Sequence, residues 1–374
     1  MQLRFLFPCL AYSGHYLEYV NYQYHHAVNN KIETIFLLHP KSSEFLSLYE
    51  WPEDENVKIK YFTEDEVAVY DTQNGLRQSF TACKLLKKYD KIFNPDIIVS
   101  NQLISFYPAA IITPLKGKLR GIIYRIPRHS NRKQPIKTIR DWAVSFMLRA
   151  AYSVDCIWLL NDKLTPKIYN RRLLTKKFRY LPDPINPQNA INNSIKKPND
   201  KIRFEHIGGL GERKGTFTIL EAIKLMSPEE QQRFTFSISG WLNAQDELRF
   251  QTYVNEITDK TVIDYHPGII ELERFNELIE LSDFILIPYE NVESSSGILG
   301  HAALHHKPVI GPAKGLLGQL IQNYNLGVTI PQISPQTLKA AILNIHNFGT
   351  SVSQFDKYIV DNTIDKFASE LFKH

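Results

Sequence analysis

The sequence predicts an α/β protein made of two doubly wound, Rossmann-like domains. In the first half of the chain, short apolar runs alternate with amphipathic stretches up to residues 182–198, which are rich in Pro and Asn and lack a hydrophobic period. The alternation restarts at residue 202, and the runs 284–288 and 308–310 are apolar throughout, as parallel strands buried on both faces are. Strand–helix alternation of this kind indicates parallel sheets with helices on both faces.

The elements of the first domain follow from these local patterns. Short apolar runs predict strands, and stretches with helical apolar spacing predict helices. The strands are predicted at residues 3–9, 34–38, 57–61, 96–100, 121–126, 156–160 and 178–181. The helices between them are predicted at residues 16–28, 78–89, 136–152 and 166–174.

The second domain shows the same alternation more clearly. Its strands are predicted at residues 202–207, 234–239, 262–265, 284–288, 308–311 and 328–330. Its helices are predicted at residues 215–226, 246–257, 272–281, 296–305, 316–324 and 335–346, and the tail 353–372 is interpreted as one amphipathic helix.

The predicted division has four parts, because 374 residues exceed one ordinary core. We expect an N-terminal domain at 1–185, a linker at 186–200, a C-terminal domain at 201–350 and a C-terminal helix at 351–374 that packs back on the N-terminal domain. Doubly wound domains bind ligands at the carboxyl ends of their strands, so the expected site is a cleft between the two domains.

The composition, with 43% hydrophobic and 22% charged residues, is that of a soluble globular protein. No apolar run approaches the roughly 18 residues of a membrane-spanning helix, and the apolar start is interpreted as a buried strand rather than a cleaved signal. Cys9, Cys83 and Cys156 have no metal-ligand spacing, which predicts buried thiols in a reducing cytosol.

Positive charge is concentrated in one region. Residues 114–181 contain 17 Lys and Arg against three Asp, a surplus of 14 in a chain whose net charge is +5. One interpretation is a solvated basic face, and another is a surface for an anionic membrane or an anionic acceptor. No nucleic-acid-binding module accompanies the charge, so we expect no nucleic acid partner.

A glycine-rich turn opens the second domain. Residues 204–215 read Phe-Glu-His-Ile-Gly-Gly-Leu-Gly-Glu-Arg-Lys-Gly, a strand that enters a helix through a loop. Unpaired N–H groups at a helix start attract anions, and glycine lets the backbone approach a ligand. Lys214 is placed to reach a phosphate, and Arg213 to add a bidentate contact. The alternative is a plain turn with exposed basic side chains.

A second turn of this type lies about eighty residues later. Residues 293–301 read Glu-Ser-Ser-Ser-Gly-Ile-Leu-Gly-His. Ser295, Ser296, Gly297 and Ile298 offer hydroxyl and N–H groups at another helix start, although ordinary N-capping is equally compatible with the serines. Two anion sites in one half of the chain predict a diphosphate ligand.

The order of these segments resembles the C-terminal half of GT-B-fold glycosyltransferases of the family-4 type (glycosyl transferases group 1), which use nucleotide-sugar donors. Such transferases carry Gly-Arg-Leu and then Lys-Gly, with Arg and Lys on the donor diphosphate. Lys214 matches, whereas Gly209 stands where the family has Arg, and Arg213 is the candidate substitute. The family also has two glutamates separated by seven residues, the first on the donor sugar and the second on the ribose. Glu293 matches the first, and His301 replaces the second.

In the first domain the resemblance is limited to outline. The family places a small-residue loop after the first strand, near the donor phosphate, and here Gly14 and His15 occupy it. The family also has a His near the reacting carbon, for which His129 is the candidate after the strand 121–126. The resemblance therefore implies Glu293, Lys214 and His129 as catalytic residues.

The resemblance implies a metal-independent hexosyltransferase without a cofactor, which moves a sugar to a glycan or lipid-linked acceptor with retention. The C-terminal domain would hold the donor and the N-terminal domain the acceptor. Surface polysaccharide or glycoconjugate synthesis at the inner face of the cytoplasmic membrane is the expected setting. Three alternatives stay open: a non-catalytic partner subunit of the same fold, a sugar-nucleotide epimerase, and an inverting transferase with His15 as general base.

Overall fold

The computed structural model describes residues 3–12, 15–124, 146, 149–189, 200–290, 292–345, 348–349 and 351–373. The chain forms two compact units, one of Met1–Pro182 with Ile364–His374 and the other of Asp183–Thr363. Each unit contains a sheet of parallel strands buried between helices. The predicted α/β architecture with two Rossmann-like domains is confirmed.

The first unit is built on a seven-stranded sheet in the order β3-β2-β1-β4-β5-β6-β7 within the described residues. Its strands are β1 (Phe5–Cys9), β2 (Thr34–Leu38), β3 (Val57–Tyr61), β4 (Ile97–Ser100), β5 (Lys118–Ile123), β6 (Val154–Leu160) and β7 (Phe178–Leu181). Its helices include His15–Asn29, Ser43–Leu46, Glu64–Asp71, Gly75–Phe93, Thr165–Arg172 and Ile364–Leu371. Along β1, Leu6 packs into one buried cluster while Phe5 and Phe7 pack into the other, so both faces of the sheet are covered.

The second unit has a six-stranded sheet in the order β10-β9-β8-β11-β12-β13 within the described residues. Its strands are β8 (Ile202–Gly209), β9 (Phe234–Trp241), β10 (Ile263–Pro267), β11 (Phe284–Leu286), β12 (Val309–Pro312) and β13 (Gly327–Ile330). Its helices include Thr216–Lys224, Pro228–Gln231, Ala244–Asn255, Leu272–Leu281, Gly297–Leu304, Gly315–Tyr324, Pro335–Leu343 and Val352–Asp361. Because β8 and β11 are parallel neighbours, the loops that follow them leave the same edge of the sheet side by side.

Two helices were missed although their starts carry a recognisable signal. Thr63 and Glu66 bond each other's backbone N–H groups at the start of Glu64–Asp71, a reciprocal capping box. Ser227 and Glu230 do the same at the start of Pro228–Gln231. The predicted helix 136–152 falls mostly outside the described residues.

The prediction of one C-terminal helix is wrong. The tail forms two helices, Val352–Asp361 and Ile364–Leu371, which belong to different units. They are interrupted at Asn362, which is fully buried and accepts hydrogen bonds from Asp183 N (3.2 Å) and Ile185 N (2.8 Å). The amphipathic period continues across this break, which is why the sequence alone suggests one helix.

None of the helices in the described parts of the chain is both long and apolar enough to cross a membrane. The three cysteines are buried thiols, as predicted. Burial raises the pKa of Cys9 to about 12, which makes it a poor nucleophile at neutral pH.

Candidate functional site

The segment that ends β8 and leads into the next helix, residues 208–215, is called the glycine loop below. Gly215 ends it with φ +77°, and a Cβ atom there would lie 2.3 Å from the carbonyl oxygen of Pro288. Only glycine fits this contact, because a side chain would collide with fixed backbone. Glu290 N also donates a hydrogen bond to Arg213 O at 3.2 Å. The glycine loop is therefore packed directly against the chain that follows β11.

A buried hydrogen-bond network holds the glycine loop from beneath. His206 Nδ1 lies 2.9 Å from Leu286 O, and its Nε2 lies 2.9 Å from Thr216 Oγ1. A carbonyl only accepts, so Nδ1 carries the proton and Nε2 accepts from the Thr216 hydroxyl. That hydroxyl in turn accepts from Gly211 N at 2.9 Å. Burial lowers the pKa of His206 to about 4, which keeps the neutral form that this network requires.

Lys214 is the half-buried cation of the glycine loop. Its Nζ lies 3.8 Å from the centroid of the Tyr289 ring, and it has no salt bridge among the described residues. Burial, and to a smaller extent the charge of Arg213, lowers the pKa of Lys214 to about 8. Arg213 itself is exposed at the loop surface. Both basic side chains therefore lie where an anion at the helix start Thr216 would meet them.

The loop after β11, residues 292–297, is called the serine loop below. It enters the helix Gly297–Leu304 at Ser296, whose side chain makes no capping hydrogen bond to that helix. Ser295 Oγ donates to Asp183 Oδ2 at 2.7 Å, so its predicted donor-binding hydroxyl is engaged with the start of the second unit. Glu293 is partly buried in this loop.

The two loops meet at one edge of the sheet. A Cβ atom on Gly208 would lie 3.6 Å from Ile298 Cδ1, which places the first turn of Gly297–Leu304 beside the glycine loop. Burial raises the pKa of Tyr289 to about 12, while the Ser296 hydroxyl and the Arg213 charge oppose the rise. Tyr289 is thus close to both Lys214 and Ser296. Two helix starts and two basic side chains at one edge make an arrangement suited to an anion.

No protein-family model matches the sequence, and no curated protein matches it. Solved structures do match over nearly the whole chain. A glycosyltransferase from Rickettsia africae ESF-5 is 13% identical with a TM-score of 0.70, covering 99% of this chain and 96% of that one. Anabaena Alr3699/HepE, in complex with UDP and glucose, is 12% identical with a TM-score of 0.67, covering 99% and 98%. Sucrose-phosphate synthase from Thermosynechococcus elongatus is 13% identical with a TM-score of 0.70, covering 98% and 97%.

The chain has the GT-B fold. The resemblance in the two loops of the second half therefore identified the architecture correctly. At these identities the likeness establishes the fold, and the chemistry has to be argued from the site of this chain.

Within this GT-B chain, two positions depart from the family pattern in ways that the structure makes concrete. A Cβ atom on Gly209 would have no atom within 4 Å, so the position is open and does not require glycine. His301 lies edge-on to Phe275 with ring centroids 4.8 Å apart, and its Nδ1 is buried without a hydrogen-bond partner in the described chain. Burial and the neighbouring His305 lower the pKa of His301 to about 4. A neutral imidazole therefore stands where the family has a carboxylate.

Three predicted residues of the first domain cannot be placed in the site. Gly14 and His129 lie outside the described residues, and so does the side chain of His15, which starts the helix His15–Asn29. In the second domain, a Cβ atom on Gly297 would meet nothing within 4 Å, so the packing around it does not require glycine there.

Four further residues of the site were not predicted from the sequence: His206, Thr216, Tyr289 and Asp183. Thr216 directly follows the Lys-Gly pair, and a hydroxyl at a helix start is a signal that could have pointed to it and to its partner His206. Nothing local marks Tyr289 or Asp183, since their contacts join segments far apart in the chain.

Proposed function

We propose that this chain is a glycosyltransferase that takes a sugar from a nucleoside-diphosphate sugar. The observation that carries the proposal is the meeting of the glycine loop and the serine loop at one sheet edge, with Lys214 on the glycine loop and no counter-ion for it among the described residues. The fold supports it as well, because the solved structures of the same fold include glycosyltransferases, one in complex with UDP and glucose.

In the proposed reaction the donor diphosphate is the leaving group. Lys214, Arg213 and the N–H groups at the two helix starts would stabilise its developing charge, which is electrostatic preorganisation. Glu293 would orient the sugar while positive charge develops at its anomeric carbon. A diphosphate oxygen would accept the proton of the incoming hydroxyl, which corresponds to transfer with retention and requires neither an enzyme nucleophile nor a metal ion.

Turnover of a panel of nucleotide sugars tests this proposal. The release of nucleoside diphosphate should depend on an added glycan or lipid-linked acceptor, and Lys214→Ala should lower the rate by about 10²–10³ with the fold intact. Lys224→Ala is the matched control, because Lys224 is exposed at the end of its helix and pairs with Glu256 instead. Near-wild-type turnover in Lys214→Ala would refute the assignment.

A second candidate function is a non-catalytic nucleotide-binding or partner subunit. Gly209 and His301 favour it, because they replace an Arg and a Glu of the family pattern. Such a subunit would bind nucleotide weakly and would release no diphosphate with any donor. Conversion of a donor without any acceptor would instead indicate an epimerase.

The acceptor side of the proposal concerns the basic first unit. Tyr152 and Leu174 are 85% and 84% exposed, and Lys118 Nζ lies 4.9 Å from the Tyr152 ring centroid. Lys177 Nζ donates to Arg149 O and Ala151 O at 2.8 Å each, which ties the segment just before Tyr152 to the segment that follows Leu174. Aromatic and aliphatic side chains among basic ones suit an anionic membrane surface.

We infer a peripheral protein of the inner membrane face that glycosylates a lipid-linked or anionic glycan in surface polysaccharide or glycoconjugate synthesis. Sedimentation with liposomes tests this inference. Recovery should be higher on anionic than on neutral vesicles and should fall in a Tyr152→Ser, Leu174→Ser variant. Equal recovery on both vesicle types would contradict it.

A further inference from the structure

Tyr289 occupies the contact between the glycine loop and the chain after β11. It is 4% exposed, although it lies in a loop at the edge of the sheet. Its two chain neighbours hold the glycine loop: Pro288 O fits against the bare Cα of Gly215, and Glu290 N bonds to Arg213 O. The position of the Tyr289 ring relative to the glycine loop is therefore fixed by backbone contacts on both sides.

The ring provides the only partner that the described residues give to the Lys214 ammonium. Two cations on nearby helices are paired with carboxylates: Lys224 with Glu256 and Arg249 with Glu212. Lys214 lies over an aromatic face instead, with Nζ 3.8 Å from the ring centroid. Such a face attracts a cation through its quadrupole without cancelling the charge.

We propose that Tyr289 is a positioning residue, which holds the Lys214 ammonium charged and unpaired at the glycine loop until the phosphate of an anionic ligand binds it. This inference rests on the proposed role of Lys214 in binding the donor diphosphate. A carboxylate at the same place would compete with the ligand for the ammonium, whereas a neutral ring does not. The high pKa of Tyr289, about 12, keeps the ring neutral through the physiological range.

The first experiment is a double-mutant cycle read by calorimetric binding of UDP, GDP, CDP, ADP and dTDP. Tyr289→Leu removes the ring face, and Tyr289→Phe keeps it while removing the hydroxyl. We expect Tyr289→Leu to weaken binding of the preferred nucleotide about tenfold, and Tyr289→Phe to bind like the wild type. In a Lys214→Ala background, Tyr289→Leu should cause no further loss, because it acts through Lys214. Tyr253→Leu, which removes the ring near Lys224, is the control that should leave binding unchanged.

The results separate this inference from the proposed function. If Lys214→Ala weakens binding but Tyr289→Leu has no effect, or has the same effect in both backgrounds, the role of Tyr289 is refuted and the donor site stands. If no nucleotide binds the wild type, the proposed function fails and the role of Tyr289 toward a diphosphate fails with it.

The geometry itself is tested without any ligand. Nuclear magnetic resonance of the Lys214 ε-methylene group should show a ring-current upfield shift in the wild type and in Tyr289→Phe. Tyr289→Leu should abolish that shift. An unshifted resonance in the wild type would overturn the inference whatever the nucleotides do.

Discussion

The glycine loop and the serine loop face the same edge of one sheet but are held in different ways. The glycine loop has a local network, the chain of hydrogen bonds from His206 to Thr216 to Gly211, and it also packs against Pro288 and Glu290 of the chain after β11. The serine loop is held from outside, because Ser295 bonds to Asp183, which lies 112 residues earlier, and Leu317 N bonds to Val292 O at 3.2 Å. The comparison shows that the glycine loop combines a local hydrogen-bond network with tertiary contacts, whereas the named contacts of the serine loop are all tertiary.

The largest expected effect is on the free energy of unfolding, and it comes from the strand beneath the glycine loop. Glu205 is fully buried on β8, and burial raises its pKa to about 7, while Ser237, Ser239 and Arg203 oppose the rise. The folded state therefore holds a proton that the unfolded state releases at a lower pH. The free energy of unfolding should fall as the pH rises from about 4.5 to 7, by about 3 kcal/mol.

Glu205→Gln should remove this dependence and make the protein more stable than the wild type at pH 8, with equal stability at pH 4. Urea unfolding at several pH values measures it, and Glu273→Gln at an exposed position is the control. A parallel pH profile for wild type and Glu205→Gln would contradict the buried proton.

The next largest effect is expected from removing the Thr216 hydroxyl, which lies at the centre of the network beneath the glycine loop. Thr216→Val keeps the shape but leaves Gly211 N and His206 Nε2 without their partner, which should cost about 2 kcal/mol of unfolding free energy. Thr216→Ser keeps the hydroxyl, and its free energy of unfolding should stay within about 0.5 kcal/mol of the wild-type value. Thermal or urea unfolding of both variants measures these losses, and a Thr216→Val variant as stable as the wild type would show that the network contributes little to stability.

Removing the contact that holds the serine loop should have a smaller effect on stability, and it should also raise KM for the donor. Ser295→Ala removes the bond to Asp183 and should cost about 1 kcal/mol, while raising KM for the donor about fivefold as the helix start Gly297 loses its position. Ser294→Ala serves as the neighbouring control. An unchanged KM in Ser295→Ala would mean that the tertiary tie does not set the geometry of the site.

The smallest expected effect is on nucleotide affinity, and it comes from adding a cation to the glycine loop. Gly209→Arg places a guanidinium where a Cβ atom meets nothing within 4 Å, so the substitution should not disturb the fold. A further cation at this loop should tighten nucleoside-diphosphate binding about threefold, since a partly exposed charge pair contributes less than about 1 kcal/mol. Weaker binding in calorimetry would show that the open position is not directed at the ligand.

The sequence predicted what is local and missed what is not. The alternation of strands and helices, the two glycine-bearing turns and Lys214 are all patterns within a few residues, so the fold and the outline of the site could be read directly. Tyr289 packs on Lys214 only because β8 and β11 are neighbours in the sheet, although 75 residues separate the two side chains in the numbering. The break of the tail at Asn362 likewise depends on its partners Asp183 and Ile185.

The most direct test of the account is calorimetric titration of the wild type and Lys214→Ala with UDP, GDP, CDP, ADP and dTDP. We expect one nucleotide to bind the wild type in the micromolar range, and Lys214→Ala to weaken this binding while keeping its melting temperature. No binding of any nucleotide to the wild type, or equal binding by Lys214→Ala, would contradict the claim that the two loops form a donor diphosphate site.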